Sequence, residues 1–247
     1  NSAFGRTALC TNSSGSSNTA LGVNALKSNT TASDNTAVGT AALFSNTTGA
    51  SNVAVGRCAL NANTTGFQNV AVGSLALITN STGQENTAVG YKAGICTTTG
   101  CGITAIGMCA LHCHTTGGDN NAVGMCSQFS TTTGAGNNSM GHKSMENNTT
   151  GNSNVAIGEQ ALRNNTTACD NTAVGKEALC GNTTGTNNTA TGFKALNANT
   201  TGANNTAIGT NAGLKQTEGN DNSSLGFGAL CDLTTGDENT ALGQRAL

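Results

Sequence analysis

A glycine recurs every 17 residues from Gly5 to Gly243 without a slip, and this period constrains the fold more than any other feature. Counting Asn1 as position 1, the repeat reads N-T-A-V-G-x-x-A-L-x-x-N-T-T-G-x-x. The 247 residues hold fourteen full copies and nine further residues. Seventeen residues are too few for a helical-hairpin repeat, and Thr, Val, Asn and Gly outnumber helix formers. An all-β fold follows: a β-solenoid of about 14.5 coils, with identical positions stacked at the inter-strand spacing of about 4.8 Å into a rod of roughly 70 Å. Proline is absent, as expected where each coil must donate its amides to the next. No insertion breaks the period, so residues 1–247 read as one uninterrupted array of fifteen repeats, the last truncated, cut from a longer fibre.

Stacking turns each position into a column. Position 1 is Asn except at Ile103, which predicts a side-chain amide ladder. Position 4 (Val38, Val55, Ile106, Ile157) is expected to point inward, with the position-9 leucines (Leu26, Leu60, Leu162) closing the core from the opposite wall. Position 3 is Ala or Ser throughout, and strand alternation sets it on the other face. Because positions 1 to 5 carry no charge, that small-residue face is expected to lie against another chain; the alternative is a flattened coil that buries both faces itself. The invariant position-5 glycine implies a positive φ or a backbone contact too close for a Cβ.

Composition narrows the function. Only 9% of residues are charged and the net charge is −2, which leaves no basic footprint for nucleic acid, and no apolar run is long enough for membrane insertion. Three histidines and glycines that the repeat explains give no catalytic constellation, no phosphate loop and no cofactor site, so the chain does not read as an enzyme. Lys and Arg fall at positions 6, 7, 10 and 11, and half of the acids at position 17, as solvated corners; these single carboxylates do not assemble a calcium site.

The N-T-T-G segment supplies N-glycosylation acceptors in nine coils, at Asn12, Asn29, Asn46, Asn63, Asn80, Asn148, Asn165, Asn182 and Asn199, and so N-linked glycans as the one attached group; the competing reading is a plain turn with Thr caps. Further sequons lie at Asn137, Asn147, Asn164, Asn187, Asn204 and Asn222. Among ten cysteines, Cys96 with Cys113 and Cys109 with Cys126 are one period apart, which predicts ladder disulfides and an oxidising environment. The pairing of Cys10, Cys58, Cys101, Cys169, Cys180 and Cys231 stays open. Zinc at Cys109, His112, Cys113 and His114 is a rival reading, although positions 10 and 12 face away from position 11. Threonines at positions 13 and 14 raise ice binding, against which the T-T rather than T-x-T spacing argues.

The N-T-A-V-G and N-V-A-I-G runs (Asn35 to Gly39, Asn154 to Gly158) resemble the S-V-A-I-G repeats of trimeric autotransporter adhesin heads. The longer unit Asn188 to Gly202 is similar to repeats in phage and viral tail-fibre proteins and in bacterial surface proteins carrying a fibre chaperone domain. The resemblance implies a left-handed β-roll, usually trimeric, used as a stalk or adhesive fibre. The coil here is 17 residues rather than about 14, the extra turn lying in N-T-T-G. The expected protein is an extracellular structural fibre, displayed on a cell or virion surface and self-associating laterally or end to end. The alternatives are an adhesin or tail-fibre stalk that binds a receptor through a domain outside these residues, and an ice-binding solenoid.

Overall fold

The computed structural model describes all 247 residues. It is all-β and contains no helix: each repeat contributes one three-residue strand at positions 2 to 4, from β1 (Ser2–Phe4) to β15 (Thr240–Leu242), running parallel in chain order. Partners are always one period apart, as in Thr36↔Val53 and Ala37↔Ala54, so the chain is a β-solenoid with one coil per repeat. We number the coils in order, coil 1 starting at Asn1. Two compact units are distinguished, Asn1–Asn121 and Ala122–Leu247. The first holds β1 to β7 (Thr104–Ile106) and the second β9 (Asn138–Met140) to β15; β8 (Asn121–Val123) falls at the division. The same internal plan repeats within each.

Coil 3 shows where the amides go. Outside the strand ladder, Thr36 and Ser45 donate to Asn52 and Asn61 of the following coil, and Leu43 and Thr47 to Ala59 and Thr64; Gly39, Ala41 and Ser51 donate to Leu21, Val23 and Ser33 of the preceding one, at 2.8–3.1 Å. Two further amides close turns within the coil, Ala42 to Gly39 and Asn46 to Leu43, both at 3.3 Å. A proline at nearly any position would leave a carbonyl without its donor, which accounts for its absence.

The interior is thin. Each regular coil buries the Ala of position 3, the Ala and Leu of positions 8 and 9, and little other apolar matter: Ala54, Ala59 and Leu60 are fully buried, and Ala156, Ala161 and Leu162 repeat the pattern in the second unit. One buried leucine is worth about 1.5–3 kcal/mol, so polar ladders must do much of the remaining work. Two Asn columns do so. Asn63 Nδ2 donates to Gly66 O of its own coil and to Asn46 Oδ1 of the preceding coil, both at 2.9 Å. From position 1, Asn52 Nδ2 donates to the same Gly66 O at 2.9 Å, while its Oδ1 accepts the Asn69 backbone N–H at 3.0 Å. The position-15 carbonyl is thus the hub on which both columns converge.

The backbone path is costly. Positions 7, 9 and 17 sit in the left-handed region with ordinary side chains, as at Asn24 (φ 60), Leu26 (φ 48) and Asp34 (φ 61). Each such residue costs on the order of 1 kcal/mol, a strain that persists because the inter-coil bonds on either side fix it. At position 5 only glycine fits: a Cβ on Gly73 would stand 2.4 Å from Gly90 O at φ +137.

Candidate functional site: the outward face of the strands

Alternation along the three-residue strand puts position 3 on one face and positions 2 and 4 on the other. The faces are the reverse of the sequence expectation. Ala37, Ala54, Ala71 and Ala88 point into the coil and are fully buried, whereas the position-4 side chains point out. Val55, Val72 and Val89 are 36–37% exposed and Ile106 39%; in the second unit Met140 reaches 55%, Ile157 43% and Ile208 41%. The Ala column therefore faces its own core, not a second chain. The physical reason is room: with Leu and two Asn side chains inside a regular coil, the floor of the strand admits only a methyl group or a hydroxyl, as at Ser139 and Ser224.

What results in each unit is a strip of parallel sheet with a column at position 2 that is mostly Thr or Val, with Asn121 and Asn138 among the exceptions, and a column at position 4 that is mostly Val, Ile or Leu, with Met140 and Thr191 among the exceptions. No charge interrupts it. The two columns stand as ridges beside a shallow trough; near the end of the second unit this trough is a groove of about 290 Å³ walled by Thr206, Ile208, Leu225 and Leu242. Exposed apolar groups at position 6, including Tyr91 and Met108 in the first unit and Phe193 and Phe227 in the second, widen the strip. Position 6 also carries Arg6, Arg57, Glu159 and Lys176, and several charges at positions 6, 7 and 10 are paired locally. In the second unit opposite charges share a column in successive coils: Glu159 with Lys176 at 3.0 Å, Glu177 with Lys194 at 3.5 Å, and Glu146 with Arg163 at 2.7 Å. Lys92 and Lys194 lie over the rings of Tyr91 and Phe193.

The nine position-12 asparagines point into the coil. Each donates Nδ2 to the position-15 carbonyl of its own coil at 2.9–3.1 Å. Asn29, Asn46, Asn63, Asn80, Asn148, Asn165, Asn182 and Asn199 are fully buried, and Asn12 is half-buried. A sugar on that nitrogen would fill the lumen and break the ladder, so in the folded coil this column is structural. Of the other sequons, Asn137 and Asn222 are buried in the position-1 ladder and Asn147 and Asn164 pair with each other at 3.1 Å, while Asn187 and Asn204 are exposed at position 17. Sequence reasoning treated N-T-T-G as a surface signal; the same letters encode an interior cap.

The threonines divide similarly. The position-13 hydroxyl donates to the carbonyl of the next coil, as Thr47 Oγ1 does to Thr64 O at 3.0 Å, so it is spent on the coil stack and does not form a free hydroxyl array with the exposed position 14.

All ten cysteines carry thiols, so neither expected cross-link, Cys96–Cys113 or Cys109–Cys126, is closed in the structure. Coils 6 and 7 nonetheless stack Cys96 directly under Cys113, with the Cys96 N–H donating to His112 O at 3.2 Å. Burial, and secondarily the Cys96 sulfur, push the Cys113 thiol above its ordinary pKa. His114 does not join these sulfurs. It replaces Asn in the position-12 column, is fully buried, and has Nδ1 3.2 Å from Thr97 Oγ1 and Nε2 3.4 Å from Asn120 Nδ2. With His114 inside and Cys113 on the outer surface, the four residues of the rival zinc reading do not converge.

No protein-family model matches the chain, and no curated protein and no solved structure matches it significantly. No helix is long and apolar enough to cross a membrane.

Proposed function

We propose that the chain is the rod of an extracellular structural fibre, in which copies associate side by side through the outward strip of positions 2 and 4. One observation carries the reading: positions 1 to 5, which hold the exposed columns of positions 2 and 4, carry no charge in any coil, so burying those columns removes apolar surface from water at about 2.5 kcal/mol per 100 Å² with no ion of the strand itself to desolvate. The occupant is a second copy. A strip whose side chains repeat at the inter-strand spacing matches its own period, so ridges of one copy can lie in the trough of another as in a dry zipper. A standard interface covers about 800 Å² per partner, which many small residues acting together reach and a single coil does not. The likeness to adhesin-head and tail-fibre repeats supports placement on a cell or virion surface, and it keeps a receptor-binding stalk as the second reading.

The test is the solution mass of the full chain by sedimentation against that of a Val72→Lys/Val89→Lys variant. The wild type is expected to self-associate at micromolar concentration, and the variant to run as a monomer with an unchanged β-sheet spectrum. A monomeric wild type, or equal association of both proteins, would sink the proposal.

A further inference from the structure

The internal ladder is not uniform, and one of its interruptions coincides with a pair of surface thiols. Coil 6 has Gly94 where most coils carry Leu and Thr97 where most carry Asn; coil 7 has Ile103 for Asn at position 1 and His114 for Asn at position 12; coils 8 (Gln128, Thr131) and 13 (Gly213, Gln216) also depart from the pattern. The substitutions compensate in part. Ile103 Cδ1 reaches within 3.7 Å of where a Gly94 Cβ would stand, so isoleucine occupies the volume the missing leucine leaves. The polar column is less well repaired: Asn80 Oδ1, which in a regular coil would accept the next Asn amide, is buried with no partner, because Thr97 has no Nδ2 to offer. The stack of coils 5 to 7 thus lacks a polar contact that the regular coils 3 to 5 make.

At that place two thiols stand in one column. The bonds Gly94 N–H to Ala110 O (2.9 Å), Cys96 N–H to His112 O (3.2 Å) and Thr98 N–H to Thr115 O (3.0 Å) hold coils 6 and 7 in one-period register around Cys96 and Cys113. In-register neighbours lie about 4.8 Å apart, inside the Cα separation of about 4.4–6.8 Å that a disulfide spans. Both side chains are half-buried on the outward surface, within reach of a small oxidant.

We infer that Cys96 and Cys113 are an oxidation site, a redox staple that clamps coil 6 to coil 7 where the Asn ladder is interrupted. With a low-molecular-weight disulfide such as oxidised glutathione as oxidant, one thiolate attacks a glutathione sulfur, breaks its S–S bond and releases one glutathione thiolate. The second thiolate then attacks the mixed disulfide and releases the other. Two S–H bonds are lost and one S–S bond forms between the cysteines; two electrons and two protons leave on two glutathione thiols. Because the Cys113 thiol is held above its ordinary pKa, closure speeds up as pH is raised above neutrality. The proposal is independent of lateral association and goes beyond it.

The experiment uses the full chain, equilibrated with oxidised or reduced glutathione, alkylated, and mapped by proteolysis without reduction, with amide exchange followed on the same samples. A Cys96–Cys113 cross-linked peptide is expected in the oxidised protein, together with roughly hundredfold slower exchange of the amides between Gly94 and Gly117, the effect of closing a 17-residue loop. Cys96→Ser and Cys113→Ser should each remove the difference between oxidised and reduced samples. Alkylation of both thiols after oxidation, linkage of Cys113 to another cysteine, or a cross-link that leaves exchange unchanged would each overturn the inference.

Discussion

Asn63→Ala tests whether the position-12 column is an interior ladder or a row of surface acceptors. Its side chain takes part in three hydrogen bonds: to Asn46 Oδ1 (2.9 Å), to Gly66 O (2.9 Å) and from Asn80 Nδ2 (3.0 Å). After truncation Gly66 O keeps the Asn52 amide and Asn80 Nδ2 keeps Gly83 O, but Asn46 Oδ1 is left buried with no donor. Three bonds at about 1 kcal/mol each, plus about 1–2 kcal/mol for the orphaned acceptor, give a loss of about 4 kcal/mol. The chain supplies its own precedent in Asn80 Oδ1, orphaned where Thr97 follows. Thr65→Ala, at the exposed position 14 of the same coil, is the control and should cost under about 0.5 kcal/mol. The assay is amide exchange of the bonds that link coils 3 to 5, which reads local opening without assuming that the whole array unfolds at once. Equal exchange in the two variants would refute the ladder, as would a glycan found on Asn63 of folded protein.

Two further outcomes follow from the geometry. Gly73→Ala should cost more than about 4 kcal/mol, seen as lost soluble yield or a collapsed urea midpoint, because its Cβ would sit 2.4 Å from Gly90 O at φ +137, whereas Gly118→Ala meets only Cys101 O at 3.5 Å and should be tolerated; similar behaviour of the two would remove the close-approach argument. His114 is pushed below its ordinary pKa by burial, partly offset by its bond to the Gly117 backbone. The unfolded chain therefore takes up the proton first, and stability that is complete above about pH 6.5 falls as pH drops below it. His112, held low by burial and Lys92, acts in the same direction. Melting of wild type and His114→Asn at pH 7.5 and 5.0 separates the two: the variant should lose most of the pH dependence, and an unchanged dependence would show that His114 is not its source.

The period, the all-β solenoid and the Asn column at position 1 were legible because they depend on repetition alone. The facing of the strand was not, because size is a poor proxy for burial here: by size alone Val and Ile at position 4 belong in the core and Ala at position 3 outside. In a coil of 17 residues that already encloses Leu and two Asn side chains, the inward strand position is the small one. A usable signal was present. Across the repeats position 3 varies only between Ala and Ser, while position 4 ranges over Phe, Leu, Val, Ile, Met and Thr. A column that tolerates Phe4 and Thr191 alike is not packed against a fixed wall, and one that never exceeds a methyl or hydroxyl group is. Position 12 carried the same message, its Asn giving way to Thr97, His114, Thr131 and Gln216, all buried, and to the half-buried Leu233, not to the charged residues that the corners accept.

The division of labour between columns also explains why so few charges suffice. In the second unit the corner ions pair along the stack: Lys176 with Glu159, Lys194 with Glu177, and Glu146 held below its ordinary pKa, against the upward push of its burial, by hydrogen bonds from Arg163 and Lys143. Exposed pairs of this kind are worth at most about 1 kcal/mol each, so they do little for total stability. Their placement matters more: Glu159 meets Lys176 at position 6 and Glu177 meets Lys194 at position 7 only in this register, and a one-coil shift would part both pairs. Asn, Ala and Leu columns are nearly the same in every coil and cannot distinguish one register from the next. The sparse charges, the Gly94–Ile103 exchange and the His114 break are among the features that make individual coils distinguishable, and all of them lie outside the uncharged columns of positions 2 and 4.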